Sequence, residues 1–264
     1  MQMDAEYDNA AHTPGAADYP NKWAAKAEAF RKYMLRNNRA SLDQPYGDTP
    51  RQSSDYFFPS DEPKGLCVFV HGGYWRRFDR SYWSHMAAGP LAHGWAISIP
   101  SYDLCPDVQV RDITLQIAAA VEKAANEFSG PIKLFGHSAG GHLVTRMLQP
   151  GMLPEPVVSR LARVTPISMV SDLRPLIQTS INDQLQLDEE SAIAESPIFM
   201  EQRHSVPIEA WVGGAELPAF IDQSRWFARA WACELNILPN MNHFTVVEAL
   251  EDPQSPLTLG CIND

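Results

Sequence analysis

Gly136-His137-Ser138-Ala139-Gly140 follows the apolar run Ile132-Lys133-Leu134-Phe135 and leads into a segment of helical character. A Gly-x-Ser-x-Gly stretch between strand and helix reads as a nucleophile elbow, a turn that belongs to sheets layered with helices. The turn is sharp. A Cβ at either flanking glycine would crowd the neighbouring backbone, while the central residue must take a strained conformation that lifts its hydroxyl. Ser138 is therefore expected to stand exposed above a sheet.

Upstream, Leu66-Cys67-Val68-Phe69-Val70 reads as a buried strand and runs directly into His71-Gly72-Gly73-Tyr74-Trp75. This second segment suits an oxyanion loop. Attack on a carbonyl places negative charge on its oxygen, and fixed backbone N–H groups stabilise that charge without reorganising. Gly72 and Gly73 let the backbone approach closely, and the amide of Ala139, at the start of the helix after the serine, supplies a further donor.

Short apolar runs recur along the rest of the chain, at Tyr56 to Phe58, Trp95 to Ile99, Val164 to Val170, Ile208 to Val212 and Leu235 to Leu238. Helical patterns lie among them. Val110 to Phe128 places Ile113, Ile117, Ala120, Val121 and Ala124 on one face; others are expected over Gly140 to Leu148, Phe220 to Ala232 and Phe244 to Leu250. Alternating strand and helix predict an α/β fold: a mostly parallel central sheet with helices on both faces and function at the carboxyl ends of its strands. Residues 1–19 are polar and punctuated by Gly and Pro, and Pro20 to Leu35 carries Trp23, Ala27, Phe30 and Met34 at helical spacing. Residues 1–50 are thus expected to form an N-terminal cap helix and loop within one domain spanning 1–264. The Pro-rich stretches Gln149 to Val157 and Glu195 to Pro207 read as surface connections.

Against 21 Lys and Arg stand 32 Asp and Glu, a net charge of −11 that disfavours nucleic acid and anionic lipid as partners. No window approaches the ~20 apolar residues of a membrane span, and the amino terminus has neither a basic region nor an apolar stretch. A cytoplasmic location is expected. Cys67, Cys105, Cys233 and Cys261 are dispersed without zinc or disulfide spacing, and no cofactor is implied. His137 and His142 are five residues apart across the elbow, a spacing unsuited to a helical metal pair, so no metal is expected.

A serine hydroxyl is a weak nucleophile and needs a base within hydrogen-bond reach, itself oriented by a third group. Of the eight histidines, His243 follows the last strand after the short loop Pro239 to Asn242, at a strand's carboxyl end. It is the leading candidate. His204 precedes its strand, and His12, His85 and His93 lack such a placement; His71 suits a role in holding the oxyanion loop. Glu216 follows the strand Ile208 to Val212 through Gly213-Gly214-Ala215 and is the favoured acid, with Asp172 and Asp222 as alternatives. Tyr74, Trp75, Tyr102, Phe220 and Phe244 are candidates for an apolar pocket.

With these segments assembled, the chain resembles the α/β-hydrolase fold, and within it the branch of kynurenine formamidases (arylformamidases) and related carboxylesterases. The resemblance covers most of the chain. It rests on both glycine-bearing motifs, on Ser171-Asp172-Leu173-Arg174-Pro175-Leu176, on Glu216-Leu217-Pro218-Ala219-Phe220 and on Asn242-His243-Phe244. It implies Ser138 as nucleophile, Glu216 as acid, His243 as base, and Gly72, Gly73 and Ala139 as oxyanion donors. Members generally carry aspartate where Glu216 stands, and the added methylene must be accommodated by the loop. The expectation is a metal-free serine hydrolase acting on a small carboxylic ester or aryl formamide through an acyl-enzyme. A thioesterase and a non-catalytic binding protein on the same fold are the alternatives, and the oligomeric state is open.

Overall fold

The structure, a computed structural model, describes residues 3–263; the outermost residues of the expected 1–264 unit, Met1, Gln2 and Asp264, lie outside the described residues. Eight strands form one sheet in the order β1-β2-β4-β3-β5-β6-β7-β8. They are β1 (Ala40–Pro45), β2 (Ser53–Phe57), β3 (Leu66–Val70), β4 (Ala96–Pro100), β5 (Ile132–His137), β6 (Leu161–Ile167), β7 (Glu209–Gly213) and β8 (Glu234–Leu238). The first two pair antiparallel, as does β2 with β4, and every later pairing is parallel.

Side chains alternate across the sheet as the pleat requires, so each central strand feeds two cores. Leu66, Val68 and Val70 of β3 join Ile113, Ile117 and Val121 of the helix Val110–Glu127 on one face. Cys67 and Phe69 join Trp23 and Met34 of the helix Tyr19–Arg36 on the other. Both helices lie within about one residue of their predicted ends. The helix Val110–Glu127 starts where Gln109 and Asp112 form a reciprocal capping box.

Two elements depart from the sequence reading. The edge strand β1, Ala-Ser-Leu-Asp-Gln-Pro, lacks an apolar period because it is half exposed and bulged, with Asp43 in the left-handed region. The stretch beginning at Glu195 is not simply a surface connection. Glu195 is buried beneath the elbow helix, where Thr114 Oγ1 donates to its Oε2 (2.9 Å), Arg146 pairs with Oε1 (3.4 Å), and its carbonyl accepts from His142 Nε2 (2.7 Å).

Register places the carboxyl ends of the central strands side by side. Val70 is level with Gly136 and Ile167 with Trp211. The loops leaving β3, β5, β6, β7 and β8 therefore open on one edge of the sheet, where ligands of such folds sit.

Candidate active site

Ser138 lies between β5 and the helix Ala139–Arg146 at φ 56° and ψ −118°, with its amide donating to the Ile167 carbonyl at 2.8 Å. A non-glycine residue in such a region costs roughly 1–3 kcal/mol, which the surrounding packing must offset. The crossing is close. A Cβ on Gly140 would come within 1.9 Å of the Val70 carbonyl oxygen, and one on Gly136 within 2.3 Å of the Gly140 oxygen. The sequence reading left Ser138 exposed, whereas it is 2% exposed because the amino-terminal segment roofs it.

Gly72 packs directly against the elbow: a Cβ there would meet both the His137 carbonyl oxygen and Ser138 Cβ at 2.9 Å. Gly73 has φ 119°, and Tyr74 and Trp75 follow at 51° and 55°, so the chain coils tightly past the serine. Among the described residues, no acceptor takes the amides of Gly72, Gly73 or Ala139. His71 stacks on Tyr102 with ring centroids 4.4 Å apart, and burial lowers its pKa to about 4. A neutral His71 in this position braces the loop.

His243 Nδ1 donates to Glu216 Oε2 at 2.6 Å. The other carboxylate oxygen, Oε1, accepts from the Gly213 amide at 2.8 Å and from Ser168 Oγ. Three donors thus hold one buried carboxylate in a single orientation. The His243 carbonyl accepts from His137 Nε2 at 2.9 Å, which ties the imidazole's backbone to the residue beside Ser138. Burial also holds the His137 pKa well below its ordinary value, so this tie is made by a neutral ring. The alternative acids are engaged elsewhere: Asp172 pairs with Arg174 at 2.8 Å, and the half-exposed Asp222 pairs with Arg225 at 3.2 Å.

Ser138, His137 and His243 line a cavity of about 780 Å³ together with Gly72 and Gly73. Trp23, Phe78, Trp83 and Phe244 make an aromatic wall, with the Trp23 and Trp83 centroids 4.5 Å apart. Of the five aromatic residues expected there, Tyr74 and Phe244 line the space. Trp75, Tyr102 and Phe220 do not, because each is fully buried behind it: Trp75 stands edge-on to His142, Tyr102 stacks on His71, and Phe220 supports the His243 ring at 4.5 Å.

Sequence reasoning missed three contributors. Ser168, just past β6, has φ 50°, and Arg76 reaches the cavity from the loop that follows β3. The third is the roof itself, formed by short helices Asp4–Tyr7 and Asn9–His12 and the turn that follows. Tyr7 fastens it, accepting at its carbonyl from Tyr74 OH (2.7 Å) and at its hydroxyl from Gln223 Nε2 (3.1 Å). Only the serine-flanking glycines and the strand ends carry a periodic or motif signal; a roof held by scattered polar contacts carries none. Among the described residues, no group of three His, Cys, Asp or Glu side chains is placed to hold a metal ion.

Residues 67–264 match the profile of the alpha/beta hydrolase family. The chain belongs to that family. This α/β hydrolase is 28% identical over 237 residues to a kynurenine formamidase of Salmo salar, across 82% of this chain and 79% of that protein. A solved structure from Silicibacter sp., provisionally described as a thioesterase, matches 100% of both chains at 51% identity and a TM-score of 0.97. Esterase B from Lactobacillus rhamnosis shares the fold, with a TM-score of 0.66 at 18% identity over 92% of each chain.

Proposed function

We propose that this α/β hydrolase is a cytoplasmic, metal-free serine hydrolase that cleaves a small carboxylic ester or aryl formamide through an acyl-enzyme. The observation carrying this reading is the 2.6 Å bond from His243 Nδ1 to buried Glu216, made at the wall of the cavity that also holds Ser138. With Nδ1–H committed to the carboxylate, Nε2 is left as the basic nitrogen. Ser138 Oγ attacks the carbonyl carbon as its proton passes to His243 Nε2, and the oxyanion is met by the amides of Gly72, Gly73 and Ala139. Collapse of the tetrahedral intermediate breaks the bond to the alcohol or amine, which leaves with the proton from Nε2. Water then attacks the acyl-enzyme by the same route and releases the acid. The aromatic wall favours a flat apolar group beside the reacting carbonyl.

The 51% identical relative gives a thioesterase reading its own support, since a thioester carbonyl is attacked by the same groups. Two measurements test these readings. A fluorophosphonate probe is expected to label the wild-type protein and not Ser138→Ala; no labelling of either leaves a binding protein on a hydrolase fold. Steady-state rates on N-formylkynurenine, p-nitrophenyl acetate, butyrate and octanoate, and an acyl thioester then rank the substrates. A formamide rate at background removes that substrate class.

A further inference from the structure

Arg76 lies four residues beyond Gly72 and lines the cavity that holds Ser138. Its Nη1 donates to Gln184 Oε1, which fixes the guanidinium against the helix Asn182–Leu185. Its Nε is buried without any acceptor, and Nη2 has none among the described residues. The edge of the guanidinium that carries Nε and Nη2 thus has no acceptor among the described residues, and its two N–H groups are spaced as the two oxygens of a carboxylate are.

Other arginines also lack a counter-ion, but Arg76 combines that lack with a buried, unpartnered Nε at the wall of the Ser138 cavity. Arg80, Arg146, Arg163, Arg174 and Arg225 each pair with a carboxylate, whereas Arg76 forms no ion pair among the described residues despite a net charge of −11. Two acids share the cavity wall and neither neutralises it. Asp8 Oδ1 accepts from the amides of Ala10 and Ala11, and Asp4 Oδ1 accepts from the Ser180 amide at 2.6 Å. A buried N–H without an acceptor is costly unless a ligand supplies one.

We infer that Arg76 is a specificity residue that anchors a carboxylate on the substrate, so that the preferred ester or formamide is a monoanion carrying a flat apolar group. The assignment rests on the hydrolase reading for its role in turnover but not for its binding chemistry. Arg76 holds the carboxylate by its free edge while the aromatic wall of Trp23, Phe78, Trp83 and Phe244 packs the ring. The nearby Asp8 disfavours a dianion such as a phosphate monoester.

The test is equilibrium binding read by tryptophan fluorescence, since Trp23 and Trp83 form part of the wall. Wild type, Arg76→Gln and Arg76→Lys are titrated with benzoate, its neutral counterpart benzamide, and phenyl phosphate. Benzoate is expected to bind wild type about tenfold or more tightly than benzamide, and the preference to vanish in Arg76→Gln and persist in part in Arg76→Lys. Raising salt on the wild-type protein should weaken benzoate alone, a result that needs no variant to fold. Equal affinity for benzoate and benzamide, an unchanged preference in Arg76→Gln, or tighter binding of phenyl phosphate overturns the inference. Because this readout needs no turnover, a protein that prefers benzoate but hydrolyses nothing rejects the hydrolase reading and keeps the subsite. One that hydrolyses neutral esters without preferring benzoate does the reverse.

Discussion

A glutamate reaches one methylene further than an aspartate, and around Glu216 the extra length is taken up by two donors on the far side of the carboxylate. Gly213 and Ser168 hold Oε1, leaving Oε2 for His243. Ser168 makes this contact from a left-handed backbone, φ 50°, a conformation that glycine takes more readily. Ser168→Gly therefore removes the hydroxyl while relieving the backbone. The variant is expected to be at least as stable in urea, yet to lose about tenfold in kcat with little change in KM, the equivalent of one hydrogen bond to a charged group. A variant that loses stability and activity together would make Ser168 a packing residue instead. The candidate residues themselves were legible because chain order and strand ends confine them. Which oxygen of Glu216 meets which donor was not, since that depends on a serine 48 positions away.

At the scale of elements, the amino-terminal segment shows how a periodic signal and its purpose separate. Trp23, Ala27 and Met34 mark the helix Tyr19–Arg36 by spacing alone, and they are its buried residues. The preceding residues have no period, yet they close the cavity over Ser138. Asp8 caps the helix Asn9–His12 by accepting from Ala10 (3.1 Å) and Ala11 (3.0 Å). Asp8→Ala is expected to cost about 1 kcal/mol of local stability, with limited proteolysis becoming faster within residues 4–18 and KM rising for aromatic substrates. Unchanged cleavage and KM would mean that Tyr7 alone secures the roof. The edge strand β1 escaped the sequence for a related reason: a half-exposed, bulged strand need not alternate, so its residues carry no pattern.

For the molecule as a whole, burying several histidines as neutral rings ties stability to pH. His71 and His85 are each lowered to about 4 and His142 to about 3, all chiefly by burial, from 6.5. On acidification the unfolded chain takes up these protons first, so stability is fully present above about pH 6.5 and is lost as pH falls toward 4. Each ring contributes about 1.4 kcal/mol per pH unit inside that window. Urea midpoints are expected to be flat from pH 7 to 8 and to fall steeply between pH 6.5 and 4.5; a flat profile there would mean that these rings open to water before the fold does. No helix among the described residues is long and apolar enough to cross a membrane, and all four cysteines are free.

Local chemistry in the chain was sufficient to determine the layered α/β fold, the elbow and the strand ends, because close backbone crossings demand glycine and buried strands demand apolar runs. Tertiary structure alone decided that Ser138 is roofed, that Trp75, Tyr102 and Phe220 support the cavity from behind, and that Arg76 faces it without a counter-ion. These are relations between residues far apart in the chain, fixed by packing and by which polar atoms find partners, and no local pattern encodes them.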